Sequence, residues 1–158
     1  MANTQSMCTS FMGELLTATH NFGTAPTRGT SAADTFKGAL YLASATINAA
    51  TTAYSSTGEV TGTGYSPGGV TVTNATAPTA TNASATAGVA YWTPSASLTY
   101  TSVTLTTSFD AVLIYNSTQS NKAVSVHTFG AQTITAGTFT LTMPANTTST
   151  ALLRLATT

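Results

Sequence analysis

The sequence predicts an all-β domain, an antiparallel β-sandwich (or barrel) of about 8–10 short strands with a short N-terminal amphipathic helix. Three observations carry this. Alternation of apolar and polar residues is clear between Leu98 and Thr106. Strand-like runs recur at intervals of about 8–12 residues between turn-forming clusters, as all-β domains require. Helical periodicity is confined to the first twenty residues.

Cys8, Phe11, Met12, Leu15 and Leu16 fall at i, i+3, i+4, i+7 and i+8, the apolar stripe of a helix over about residues 6–19. Ser6 is its candidate N-cap, and Asn21-Phe-Gly23 its stop. Residues 23–35, with Pro26 and Arg28-Gly29, form an extended connector. These two parts make a unit over 1–35, and the β-sandwich domain occupies 36–158. Leu40 and Leu42 mark a strand ending near Ser44. Gly62 to Gly69 is a glycine-dense loop, and Val70 and Val72 begin another strand. Residues 74–88 lack any large apolar side chain and form an exposed excursion. Tyr91 and Trp92 anchor the strand after it.

The alternation in Leu98-Thr-Tyr100-Thr-Ser-Val103-Thr-Leu105 slips by one residue between Tyr100 and Val103, the signature of a β-bulge. Ala111-Val-Leu-Ile-Tyr115 is apolar on both faces and is expected to be a central strand covered on both sides. Asn116 to Asn121 is a turn. Separate strands follow at Val124–Val126 and Gln132–Ile134. After a turn at Ala136-Gly137 come Phe139–Met143, closed by Pro144, and a last strand carries Leu152, Leu153 and Leu155.

Composition narrows the function. Only eight of 158 residues are formally charged and the net charge is zero. That is 5% of the chain, against about 25% in ordinary globular proteins. Ser and Thr, about a third of the residues, do the solvating. A neutral hydroxylated surface offers little repulsion when copies meet, so it suits repetitive packing; a Thr-rich extracellular β-domain shares the composition. With two Lys and five Pro to blunt sheet edges, some edges are expected to be covered by neighbouring copies. Four scattered cations make no basic patch, which argues against nucleic acid as a partner. No run approaches the roughly 20 apolar residues that span a bilayer, so no membrane partner is expected. Cys8 alone permits no intrachain disulfide. The N-terminus lacks the pattern of a signal peptide, so synthesis in the cytoplasm is expected. Asn74, Asn82, Asn116 and Asn146 begin Asn-x-Ser/Thr triplets, which arise by chance in so Thr-rich a chain.

Chemistry is sparse. Asp110 and His127 with Ser108 or Ser125 form the best triad candidate, but no nucleophile elbow surrounds either serine. Glu59 with Asp110 is the best carboxylate pair, without support from spacing. His20 and His127 have no local ligand partners. Gly62-Thr-Gly64 with Pro67-Gly-Gly69 lacks the end of a phosphate loop. Tyr65, Tyr91 and Trp92 lie beside loops, where aromatics stack on sugars or anchor strand ends. No catalytic, metal-binding or cofactor-binding residue is assigned, no cofactor is expected, and the chain reads as a non-enzyme.

Several strings resemble a group of small tailed-phage and prophage proteins. They are Met7-Cys-Thr-Ser-Phe-Met-Gly-Glu-Leu-Leu16, Ala39-Leu-Tyr-Leu-Ala43, Gly58-Glu-Val-Thr-Gly-Thr-Gly-Tyr65 and Ala90-Tyr-Trp-Thr-Pro94. Phe109-Asp-Ala-Val-Leu-Ile-Tyr-Asn116, Thr128-Phe-Gly and Thr138-Phe-Thr-Leu-Thr-Met-Pro144 complete the set. The resemblance spans nearly the whole chain and implies a virion component, similar in kind to capsid cement (decoration) proteins. Such a protein lies in the virion in many copies, often around local threefold axes. The implied partners are copies of itself, as a trimer or other homo-oligomer, and the major capsid protein or another virion protein. Candidate assembly contacts are Phe11, Met12, Leu15, Leu16 and Arg28. The alternatives are a neck, tail or fibre-attachment component and a glycan-binding module for host attachment.

Overall fold

The computed structural model describes residues 2–16, 18–22, 33–73, 77–81 and 88–156. Among these the chain is all-β with one helix, in two antiparallel sheets that form a sandwich-like fold and do not close into a barrel. The elements are β1 (Ser6–Met7), α1 (Thr9–Leu16), β2 (Phe36–Leu42), β3 (Val70–Thr71), β4 (Thr79–Ala80), β5 (Val89–Trp92), β6 (Leu98–Asn116), β7 (Lys122–Leu141) and β8 (Leu153–Ala156). The larger sheet has the order β1-β7-β6-β2-β3 and the smaller β4-β5-β8.

Two strands are far longer than expected. Residues 98–116 are one strand of 19 residues and 122–141 one of 20. The runs read as separate strands are segments of a single bent hairpin. Register shifts occur between Tyr100 and Val103, where the slipped alternation placed a bulge, and at further points up to Tyr115. Ala136-Gly137 is not a turn. It is a second irregularity on the facing strand, with Ala136 at φ 48° and Gly137 opposite Val103. A turn and a bulge draw on the same small residues, so composition does not separate them.

The bends fold the hairpin over itself. Ile114 pairs with Gly38, and Leu98, sixteen residues earlier in the same strand, also lies against Gly38. A straight strand would separate those residues by about 50 Å. The Tyr100 hydroxyl donates to the Gly38 carbonyl at 2.8 Å, and a Cβ on Gly38 would come within 2.5 Å of Leu98 Cδ1. Two segments of β6 thus hold β2 between them, and all of Ala111–Asn116 is buried.

The N-terminal segment belongs to this core. Ser6 is no N-cap: it pairs with Val126, Met7 pairs with Ser125, and the helix begins after Cys8. The open edge of β7 captures residues that local periodicity had assigned to the helix. The helix ends at Leu16, short of the expected stop, where Ala18 turns to φ 54° and Thr19 N–H donates to the Glu14 carbonyl. Cys8, Phe11 and Phe22 are buried with Phe36 and Trp92 in one continuous core. Of the connector, 23–32 lie outside the described residues. Its flanks meet, since Asp34 N–H donates to the Asn21 carbonyl at 3.0 Å and Asn21 N–H to Asp34 Oδ2 at 2.8 Å. The expected excursion at 74–88 contains β4 within it; residues 74–76 and 82–87 lie outside the described residues.

Candidate functional site

All four carboxylates are engaged inside the protein. Glu14 Oε1 accepts from Lys122 Nζ at 2.6 Å and its Oε2 from His20 Nε2 at 2.7 Å. Burial opposes the Glu14 charge, but the bonds from Lys122 and His20 outweigh it and hold the carboxyl below its usual range. Asp34 accepts from Asn21 N–H, Asn116 Nδ2 and Gln119 Nε2. Asn116 Oδ1 accepts the N–H groups of Thr118 and Gln119. Its Nδ2 therefore faces His20 Nδ1 at 3.0 Å, and the hydrogen of the ring lies on Nε2, toward Glu14. This network ties α1 to the turn between β6 and β7.

Glu59 is 6% exposed. It bridges to Tyr41 as an isolated strand pair and takes hydrogen bonds from Tyr54, Tyr65 and Gly68 N–H. The fourth carboxylate, Asp110, accepts from Asn3 Nδ2 at 2.6 Å. The same amide fixes the N-terminus by donating to the Leu42 carbonyl and accepting from Ile47 N–H.

These partners decide the catalytic candidates. Ser125 and His127 do meet, Oγ to Nε2 at 2.8 Å, because they stand two apart on one strand. Ser125 is buried, burial pushes the His127 ring down to about 4, and Asp110 bonds Asn3. The pair is a strand contact without an accessible nucleophile. Glu59 and Asp110 share no partner, so no paired acid and base arises. Burial, with the Glu14 charge adding to it, pushes the Cys8 thiol up to about 11, the opposite of what a thiolate nucleophile needs. Trp92 is 2% exposed and packs on Phe22 at 4.8 Å, so it offers no face to a sugar. Tyr65 is buried as well, its hydroxyl spent on Glu59.

What remains is surface. The exposed positions from Thr99 to Ser108 and from Gly130 to Thr140 are Thr, Ser, Gln, Gly and Ala only. Against this neutral coat stands an apolar groove of about 100 Å³ between α1 and the smaller sheet. Phe11, Leu15, Trp92, Leu153 and Leu155 line it. Leu153 pairs with Trp92 and Leu155 with Ala90, so these side chains share the sheet face turned to the helix. Leu155 is 44% exposed and Met12 48%. Of the expected assembly contacts, Phe11 is 2% exposed and Leu15 half-buried, both packed in their own core; only Met12 is openly presented. The Leu16 side chain and Arg28 lie outside the described residues. Sequence reasoning missed Arg154 and the β8 edge. The alternation of Leu153 and Leu155 marked a strand but not which of its edges lacks a pairing strand among the described residues.

Comparison with known proteins adds no relative: no family model, curated protein or solved structure matches the chain.

Proposed function

We propose that the chain is a structural protein of a phage particle, a capsid cement or decoration protein that binds and stabilises the major shell in many copies. The observation that carries this reading is the placement of charge. With every acidic side chain drawn into internal hydrogen bonds, the exposed positions of β6 from Thr99 to Ser108 and of β7 from Gly130 to Thr140 present hydroxyls and small polar groups and no charge to oppose close packing. The resemblance of the sequence to phage virion proteins supplies the setting. Repetition does the mechanical work: each copy contributes a modest contact, and bridging adjacent subunits of the shell multiplies it. The bent double-length hairpin supports this role, because β6 folds back over β2 in one continuous core.

Quantitative mass analysis of purified particles tests the proposal. Hundreds of copies are expected. Roughly three, six or twelve copies would assign the chain to a neck, tail or fibre base instead. Absence from the particle would end the virion reading.

A further inference from the structure

The smaller sheet ends on β8, and among the described residues no strand pairs with its outer edge. That edge borders the apolar groove. A strand added there would extend the sheet and send alternate side chains toward the layer of Leu153, Leu155 and Leu15. The other face of β8 carries Arg154, exposed and without an ion-pair or hydrogen-bond partner among the described residues.

Charge decides between occupants. A second copy of this chain would bring another Arg154 to the junction. Its four acidic side chains are already engaged internally, so none of them is free to set opposite. A chain that supplies a carboxylate across from Arg154 satisfies both faces of the edge. We propose that β8 and its groove accept an extended segment of another protein, apolar on one side and acidic on the other, as an added strand. This deepens the function proposed above and rests on it for the partner being a shell protein.

The test uses the isotope-labelled full chain and a short synthetic peptide alternating valine with threonine around one central glutamate. Amide shifts are expected at Leu153–Ala156, with a lysine-for-glutamate peptide binding about threefold more weakly. In Arg154→Glu, an exposed change, the preference should reverse while the remaining amide spectrum stays in place. Absence of shifts in β8 at millimolar peptide would overturn the inference, as would an unchanged preference in Arg154→Glu. Concentration-dependent shifts of β8 without peptide would do the same, by assigning the edge to a second copy. None of these outcomes bears on copy number in the particle, so the two readings fail separately.

Discussion

Glu59 Oε1 accepts hydrogen bonds from the Tyr65 hydroxyl and from Gly68 N–H, each at 2.7 Å, while Oε2 takes the Tyr54 hydroxyl at 2.6 Å. Neutral donors hold this carboxylate rather than a lysine or arginine. Tyr65 also accepts from Leu40 N–H, and Tyr115 donates to the Gly68 carbonyl, so the cluster fastens the glycine loop to β2 and β6. Gly69 lies against β2 so closely that a Cβ on it would meet the Gly38 carbonyl oxygen at 1.7 Å, with its φ at +73°.

Removing the acceptor should therefore cost much more than removing its charge. Glu59→Ala strands the buried Tyr65 hydroxyl, the half-buried Tyr54 hydroxyl and the Gly68 N–H, and should destabilise by about 3–5 kcal/mol. Glu59→Gln keeps one acceptor oxygen and should cost about 1–2 kcal/mol. Denaturant unfolding of both variants checks the order; an alanine variant as stable as the glutamine one would contradict it.

The tyrosines around Glu59 give an alkaline signature. Burial pushes Tyr41 and Tyr115 up to about 12, the Glu59 charge adding to both. Tyr54, Tyr65 and Tyr100 are driven above the usual range by burial, reinforced at Tyr54 and Tyr65 by their bonds to Glu59. A raised folded value means stability is whole below the unfolded value near 10 and is lost as pH rises past it. Tyrosinate absorbance should consequently rise with loss of the β circular-dichroism signal, in one cooperative step above about pH 11. In a Tyr91→Phe background, which leaves only these five tyrosines, a gradual rise near pH 10 in a still-folded chain would refute this.

Ala136 supplies a test of the hairpin bend. It is exposed and held at φ 48°, a conformation that burdens any residue with a Cβ. Ala136→Gly should raise stability by about 0.5 kcal/mol, and Ala136→Val should lower it by about 1–2 kcal/mol. Were Ala136-Gly137 a free turn, both changes would leave the unfolding midpoint in place.

How far each feature could be read in advance follows from how local its cause is. The buried strand Ala111–Tyr115 was legible because an unbroken apolar run has to be covered on both faces. The Tyr100–Val103 bulge was legible because alternation records which face each residue takes. Ala136 was not, since its role depends on Val103 across the ladder. Ser6 and Met7 were drawn out of the helix by β7, more than a hundred residues away. The Glu59 cluster left a partial trace, because Tyr54 and Tyr65 flank it within six positions. Their convergence on one carboxylate depends on Gly68 and on the path of β2. Which β8 edge lacks a pairing strand among the described residues is set by pairing with β5, more than sixty residues distant, and local pattern holds no record of it.

His127 provides a signature in acid. Burial lowers its ring from an ordinary 6.5 to about 4, and Ser125 Oγ lies 2.8 Å from Nε2. Between those values the unfolded chain takes up a proton that the folded chain refuses. The contribution is therefore whole above pH 6.5 and falls as pH drops toward 4, where it is spent. The full shift corresponds to about 3 kcal/mol, and partial solvent contact of the ring reduces this to about 1–2 kcal/mol. The difference in unfolding free energy between the native chain and His127→Gln isolates this term from the other titrating groups. It should decline steadily from pH 6.5 to 4 and be flat above pH 7. A difference that is constant across the acid range would mean the ring protonates freely in the folded protein.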